Sequence, residues 1–252
     1  MQCRILAIIP ARYHSQRFPG KPLVELAGKT MLQRVYEQVQ KAEKITDIYI
    51  ATEDERIVKH AESFGAQAIL TSSSHQSGTE RLLEVFKRVR VYNYYLNVQG
   101  DEPLLVPEQL EQLLELLFAI PEELAIATLC QKIDSWEEIN NPNVVKVVKD
   151  NNSKALYFSR GPIPYLREEK RFNTKGVPYF KHIGLYGFSY AALKHIAQLG
   201  PHPLEIAEKL EQLRWLAHGV PIYIQETNYP TIAVDTPEDA LKVISLLKKS
   251  KD

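Results

Sequence analysis

Short apolar runs alternate with helix-spaced apolar positions through the first half of the chain. Residues 5–9 form a continuous apolar run, which predicts a buried strand over residues 4–9. Leu32, Val35, Tyr36 and Val39 follow at i, i+3, i+4 and i+7, the spacing of a helix with one apolar face. Asp47–Thr52 reads as the next strand, residues 56–64 as a helix stopped by Gly65, and residues 66–70 as a third strand. A helix over 78–91 and a strand over 94–98 come next. Helical spacing then resumes at Leu110, Leu113, Leu114 and Leu117 behind Pro107, and a strand over 124–130 closes the series. This alternation predicts an α/β fold with a mixed, mostly parallel central sheet and helices on both faces. Ligands of such sheets bind beyond the carboxyl ends of the strands, so the residues to inspect begin at Pro10, Thr52, Thr71 and Gln99.

The pattern then changes. Residues 143–159 are two β-rich runs around the turn sequence DNNS, a hairpin signal, and the segment up to residue 189 stays rich in Gly, Pro and aromatics. The expectation is one domain over residues 1–252 that carries a β-rich subdomain at roughly 143–189. Residues 204–216 read as a single helix with two stripes, one of Ile206, Leu210, Leu213 and Ala217, the other of Leu204, Glu208, Glu211 and Trp215. Two stripes need two surfaces, and a pocket wall or a second subunit would serve for the second. The tail KKSKD is expected to fray.

Composition narrows the function classes. The 252 residues are 44% hydrophobic, enough for a sizeable core. Lys+Arg and Asp+Glu both total 31, for a formal net charge of +0, which argues against a generally basic surface for nucleic acid. Cys3 and Cys130 lie in apolar runs, offer no disulfide framework, and are expected as plain buried thiols. The seven histidines are scattered without a zinc-like spacing. No stretch reaches the ~18 apolar residues of a membrane span, and the first apolar run is too short for a signal peptide. A soluble, cytoplasmic protein is expected.

Five stretches carry candidate chemistry. The first is IIPARYHSQRFPGKPL, residues 8–23, where about a dozen residues follow the first strand although such loops usually run to about 2–6. Arg12, Arg17 and Lys21 recur in it, and Gly20 permits close backbone approach. Phosphate oxygens call for guanidinium forks, an ammonium and backbone N–H groups, so the loop reads as a polyphosphate cradle; a solvated basic loop is the plainer alternative. The second is NVQGDEPL, where Asp101 at a strand's carboxyl edge can hold Mg²⁺ or merely cap a turn. The third is VDTPEDA. With Pro237 at the first helical position, Thr236 is the N-cap and Asp235 lies outside, free to face a site; alternatively, Asp235 caps the helix in a box with Glu238. In the fourth, Glu211 beside Trp215 suits the hydroxyls of a polar ligand, or is an exposed carboxylate over an interfacial ring. The fifth is HQSGTER, where Ser77, Gly78 and Thr79 can open a helix, while Arg81 in its first turn calls for a partner.

Together IIPARYHSQRFPGKPL, HQSGTER, NVQGDEPL, NPNVVKVV, ALYFSR, HIGLYGF, LEQLRWL and VDTPEDA resemble, in order and over nearly the whole chain, the 3-deoxy-manno-octulosonate (KDO) cytidylyltransferase family, also called CMP-KDO synthetases. The resemblance implies a glycosyltransferase-A-like nucleotide-binding fold, a Mg²⁺-dependent enzyme and a homodimer built through the β-rich segment. It also implies a reaction: CTP and KDO give CMP-KDO and pyrophosphate, activating KDO for lipopolysaccharide. By the same resemblance Arg12, Arg17 and Lys21 grip the phosphates. Ala11, Gln76, Ser77, Gly78 and Arg81, with Arg12 and Lys21, hold the nucleotide. Asp101 and Asp235 bind the metal, and Gln99, Arg160, His182, Tyr186, Glu211 and Gln212 line the sugar pocket. Arg160 and His182 stand as counter-charges for the sugar carboxylate. His14 and Gln16 depart from the small or hydroxyl residues common at the family's loop tip.

A cytidylyltransferase for another acidic sugar, 8-amino-KDO or a sialic acid, is the nearest alternative. A dinucleotide oxidoreductase predicts a Gly-rich first turn, and residues 10–22 contain one glycine. A binding module without catalysis has little use for two carboxylates beside a phosphate loop.

Overall fold

The computed structural model describes residues 3–14, 18–75, 77–167 and 177–249. The chain is mixed α/β and falls into two compact units: residues 1–112 with 229–252, and residues 113–228. The second unit is much wider than the β-rich segment at 143–189, because the strands on either side of that segment in sequence pair within it.

The first unit begins with β1 (Ile5–Ala11) and a 3-10 turn at Lys21–Leu23. A two-stranded ribbon of β2 (Glu25–Leu26) and β3 (Lys29–Thr30) leads into α1 (Met31–Val39). Then come β4 (Asp47–Thr52), α2 (Glu55–Ser63), β5 (Gln67–Leu70), α3 (Gly78–Arg88) and β6 (Tyr94–Asn97). α4 (Pro107–Ala119) crosses the boundary in sequence. Strands β6, β1, β4 and β5 lie side by side in that order and all run parallel. β1 is buried along nearly its whole length, which is why it reads as an unbroken apolar run. Parallel pairing sets the ends of β1, β4 and β6 at one sheet edge, with Ala11 opposite Thr52 and Ile8 opposite Asn97. Residues following these strands therefore meet.

The second unit holds β7 (Ile126–Ile133), α5 (Trp136–Asn140), β8 (Lys146–Lys149), β9 (Ala155–Ser159) and β10 (Tyr179–Ser189). α6 (Tyr190–Ile196), α7 (Pro203–Glu208), α8 (Gln212–Ala217) and β11 (Tyr223–Glu226) follow. β11 runs parallel to β7, while β10 is antiparallel to both β7 and β8. β8 and β9 form the expected hairpin. Its turn is fixed by the Asp150 carboxylate, which accepts from the backbone N–H of Asn152 and of Lys154, with Ser153 at φ +61.

The chain returns to the first unit as α9 (Pro237–Lys249). Val234, Ala240 and Val243 pack there with Leu26 and Met31 into one apolar cluster.

Three expectations change. Cys3 is exposed, because it precedes the first strand instead of joining it; Cys130, in the middle of β7, is buried as expected. Residues 204–216 are two short helices, not one. Lys209 adopts a left-handed conformation at φ 55 and ends α7, so the two stripes drawn on one continuous helix do not exist. Lys248 and Lys249 belong to the last turn of α9, where cations suit the helix dipole.

Candidate active site

The chain leaves β1 at Ala11, and the loop that follows is closed by Gly20, whose N–H donates to the Tyr13 carbonyl at 2.9 Å. Gly20 sits at φ 71 and presents Lys21 as the first residue of the 3-10 turn. Arg12 is exposed at the start of the loop. Arg17 lies outside the described residues.

Lys21 meets two carboxylates far away in sequence. Its Nζ donates to Asp101 Oδ2 at 2.7 Å and to Asp235 Oδ1 at 3.3 Å. The backbone brings these acids to the same place, since the Val234 N–H donates to the Asp101 carbonyl at 2.9 Å. Gly100 makes the approach of Asp101 possible: a Cβ there would stand 2.7 Å from the Pro10 carbonyl oxygen. The Thr236 hydroxyl accepts from the Asp239 N–H, and Asp239 Oδ2 accepts back from the Thr236 N–H. Thr236 is thus the cap of α9 and Asp235 lies outside the helix, the first of the two arrangements considered from the sequence.

Two carboxylates on one ammonium also test the site for a divalent cation. An ammonium already stands between Asp101 and Asp235, and one or two carboxylates completed by phosphate and water oxygens are the usual donor set for Mg²⁺. Among the described residues no cluster of three or more acidic, His or Cys side chains exists that would make a closed protein cage. The pair fits a metal that arrives with a phosphate ligand.

Ser77 caps α3 by accepting from the Glu80 N–H at 3.1 Å, so Gly78 and Thr79 open the helix as expected. A Cβ on Gly78 would come within 3.3 Å of Pro10 Cγ, which ties this turn closely to the base of the first loop. Gln76 lies outside the described residues. Arg81 does have a protein partner. It is 1% exposed, forms an ion pair with Glu53 at 2.9 Å and also bonds the Thr71 hydroxyl. Its guanidinium therefore faces into the protein, and Glu53 is a residue that the sequence did not single out.

In the second unit β10 brings together the aromatic part of the sugar candidates. The ladder between β10 and β7 shifts register between Ile183 and Tyr186, and the His182 and Tyr186 rings converge to 5.1 Å. Trp215 of α8 meets Tyr186 edge-on at 5.4 Å. Tyr186 Oη is buried and has no hydrogen-bond partner among the described residues. Burial, then the neighbouring Glu211 carboxylate, raises the Tyr186 pKa, so the phenol stays protonated. Glu211 and the buried Gln212 stand at the start of α8, and Glu211 makes no capping bond there.

His182 does not carry the charge expected of it. Its residue surface is only partly covered, yet the ring is set deep in the protein, and burial pushes its pKa down to about 3. The Thr128 hydroxyl lies 3.0 Å from His182 Nε2 and 2.8 Å from the Leu185 carbonyl. With its one proton given to a carbonyl, that hydroxyl accepts from Nε2–H, which fixes the neutral tautomer. A stability consequence follows. The unfolded chain takes up this proton near pH 6.5 and the folded one only near pH 3. The stabilisation is therefore complete above about pH 6.5 and is lost on acidification, by about 1.4 kcal/mol per pH unit. Denaturant unfolding between pH 7.5 and 4.5 should show a shallower decline for His182→Gln than for the parent chain; equal slopes would refute the assignment.

Arg160 is held on backbone carbonyls. Its Nε donates to the Glu208 carbonyl at 2.7 Å and Nη1 to that of Pro142 at 3.0 Å. The Glu208 carboxylate takes up the Ser159 hydroxyl and the Arg160 N–H. Lys146, 0% exposed, donates to the carbonyls of Asn141, Val144 and Arg160. Burial, then the nearby Arg160 charge, lowers the Lys146 pKa. Glu208 and Lys146 are thus the unforeseen supports of Arg160. Gln99 lies in the first unit just beyond β6, half-buried, with its carbonyl accepting from Glu102 N–H at 3.4 Å.

The sequence profile of the family described as Cytidylyltransferase matches residues 6–226. A 3-deoxy-manno-octulosonate cytidylyltransferase from Cytophaga hutchinsonii is 45% identical over 242 residues, covering 95% of this chain and 96% of that protein. One of the same name from Geobacter metallireducens is 43% identical over 252 residues, with 98% of each chain covered. Among solved structures, a CMP:2-keto-3-deoxy-manno-octonic acid synthetase complexed with CTP superposes with a TM-score of 0.90 at 40% identity, covering 98% of this chain and 99% of that one.

Proposed function

Because the chain belongs to the 3-deoxy-manno-octulosonate cytidylyltransferase family, we propose an assignment of residues for its reaction. The protein is a nucleotidyltransferase that transfers CMP from CTP to KDO and releases pyrophosphate. The observation that carries the assignment is the junction of Lys21 with Asp101 and Asp235, one ammonium between two carboxylates at the edge where β1 and β6 end.

In this reading Arg12 and Lys21 bind the triphosphate, with Arg17 beside them in the sequence. Ala11, Gln76, Ser77, Gly78 and Arg81 are assigned to the cytidine. Asp101 and Asp235 hold Mg²⁺, which when bound neutralises phosphate charge and lowers the pKa of a coordinated hydroxyl. The anomeric hydroxyl of KDO attacks the α-phosphorus in line. One O–P bond forms as the hydroxyl proton passes to solvent, the bond to the β-phosphate bridge breaks, and pyrophosphate leaves with its electron pair. The chain's part is positioning and charge stabilisation, with the cations of the first loop aimed at the phosphates.

The sugar is assigned to Gln99, Arg160, His182, Tyr186, Glu211 and Gln212. Of these, Arg160 brings positive charge for the sugar carboxylate. Neutral His182, the Tyr186 hydroxyl and the Gln212 amide bring neutral hydrogen-bonding groups, and Glu211 accepts from sugar hydroxyls. We further place the protein in the cytoplasm as a homodimer, in the step that activates KDO for lipopolysaccharide. No helix among the described residues is long and apolar enough to cross a membrane. Tyr165, Leu156 and Ile206 in the second unit are exposed apolar side chains suited to a subunit contact.

The test is a pyrophosphate-release screen of CTP, UTP, ATP and GTP against KDO, 8-amino-KDO and a sialic acid, with Mg²⁺ and with EDTA. The expected result is release with CTP and KDO that EDTA abolishes. Release only with 8-amino-KDO or sialic acid would overturn the sugar assignment, and undiminished release in EDTA would overturn the metal assignment.

A further inference from the structure

Glu53 follows β4 directly, at the same sheet edge as the end of β1, and its side chain is only 8% exposed. A carboxylate so deeply placed needs partners, and it has two on different segments. Oε1 accepts from the Tyr13 N–H at 2.9 Å, at the start of the first loop. Oε2 faces Arg81 Nη2 at 2.9 Å, in the first turn of α3. One side chain thus joins the two segments assigned above to the nucleotide.

Tyr13 is gripped a second time from the same turn. The Arg56 guanidinium stacks 3.4 Å above its ring, and Asp54 orients that guanidinium through bonds at 2.9 and 2.6 Å. The Tyr13 carbonyl in turn accepts from the Gly20 N–H, and the Tyr13 ring packs beside Gly20, where a Cβ would stand 3.4 Å from the hydroxyl oxygen. The path from Glu53 to Lys21 is therefore short: carboxylate, Tyr13 backbone, Gly20 backbone, Lys21.

The electrostatics agree. Arg81 is buried, and the Arg12 charge lies close enough to disfavour its protonated form, while Glu53 opposes both effects. A buried guanidinium with a second cation nearby stays charged and in place only beside a fixed counter-charge, which Glu53 supplies.

We infer that Glu53 is a positioning residue for CTP: its carboxylate pins the base of the first loop to the first turn of α3, so that the phosphate-binding cations and the cytidine turn hold a fixed spacing before the nucleotide binds. This rests on the CTP reading above.

Glu53→Gln keeps the size and the acceptor for Tyr13 but removes the charge facing Arg81. Glu53→Asp keeps the charge and withdraws it by one methylene. Steady-state kinetics and CTP titration calorimetry on the full chain read the effect. For Glu53→Gln the expected result is a rise of about tenfold in both the KM and the Kd for CTP, with kcat within about twofold and the KM for KDO unchanged. Glu53→Asp should lie between, and serves if the Gln variant does not fold. A merely structural role would lower kcat through loss of active protein and leave the CTP affinity of the remainder intact. That result, or an unchanged CTP Kd in a folded variant, would overturn the inference. If the parent chain binds CTP but releases no pyrophosphate with KDO, the sugar assignment fails, while the calorimetric comparison still decides the role of Glu53.

Discussion

Asp101→Ala and Asp235→Ala should each release pyrophosphate from CTP and KDO at least about a thousandfold more slowly than the parent chain, with the fold intact. The size follows from the charge the pair is assigned to anchor. A bound divalent cation supplies several kcal/mol of transition-state stabilisation, and each ~1.4 kcal/mol is tenfold in rate. The local structure around both acids has other supports. The bond that Asp101 makes to Val234 uses its backbone carbonyl, and the cap of α9 is Thr236 with Asp239. Both side chains are partly exposed, at 29% and 36%, so loss of one ion pair with Lys21 costs about 1 kcal/mol or less. Circular dichroism and a denaturation midpoint verify folding, and a coupled pyrophosphate assay reads the rate. Full activity in Asp235→Ala would reduce that residue to a bystander before a helix.

Lys21→Met should move two quantities in opposite directions. With the ammonium gone, the triphosphate loses a charge-assisted partner, and kcat/KM for CTP should fall by roughly a hundredfold. Without nucleotide, however, Mn²⁺ should bind about tenfold more tightly. The two carboxylates, 2.7 and 3.3 Å from the ammonium, would face each other without a resident cation, and like charges so close favour any divalent ion that separates them. Calorimetric titration of Mn²⁺ into the nucleotide-free chain measures this apart from catalysis. Unchanged Mn²⁺ affinity would mean that the metal and the lysine do not compete for the same carboxylates. On the proposed assignment, the Lys21 ammonium would hold the acids together until nucleotide and metal arrive and would then turn to the phosphates.

Much of the scaffold for this chemistry is written locally. The periodicity at Leu32, Val35, Tyr36 and Val39 gives α1, and all four side chains are buried. Ser77 and Thr236 cap the helices that follow them because a short hydroxyl side chain satisfies the first free N–H groups. The DNNS turn closes its hairpin through a carboxylate and a left-handed serine three positions apart in the chain. Family motifs then attach a reaction to these elements.

Other features are set by residues that meet only after folding. Lys21 is 80 positions from Asp101 and 214 from Asp235, so no local pattern announces that they share a proton-bearing nitrogen. The need of Arg81 for a partner was legible from its place at a helix N-terminus, but the choice of Glu53 required the parallel register of β4 beside β1. The break at Lys209 has neither Gly nor Pro to mark it, although its backbone is left-handed. His182 looks like a cation for an acidic sugar until burial and Thr128 make it neutral. The sequence by itself determined the periodic elements, their caps and the chemical kinds of side chain supplied to the site, because these depend on neighbours within one or two helical turns. Only the tertiary structure decided which charges pair, which stay neutral and which loop is held to which helix, because desolvation and Coulomb energy depend on distances between segments that the linear order does not contain.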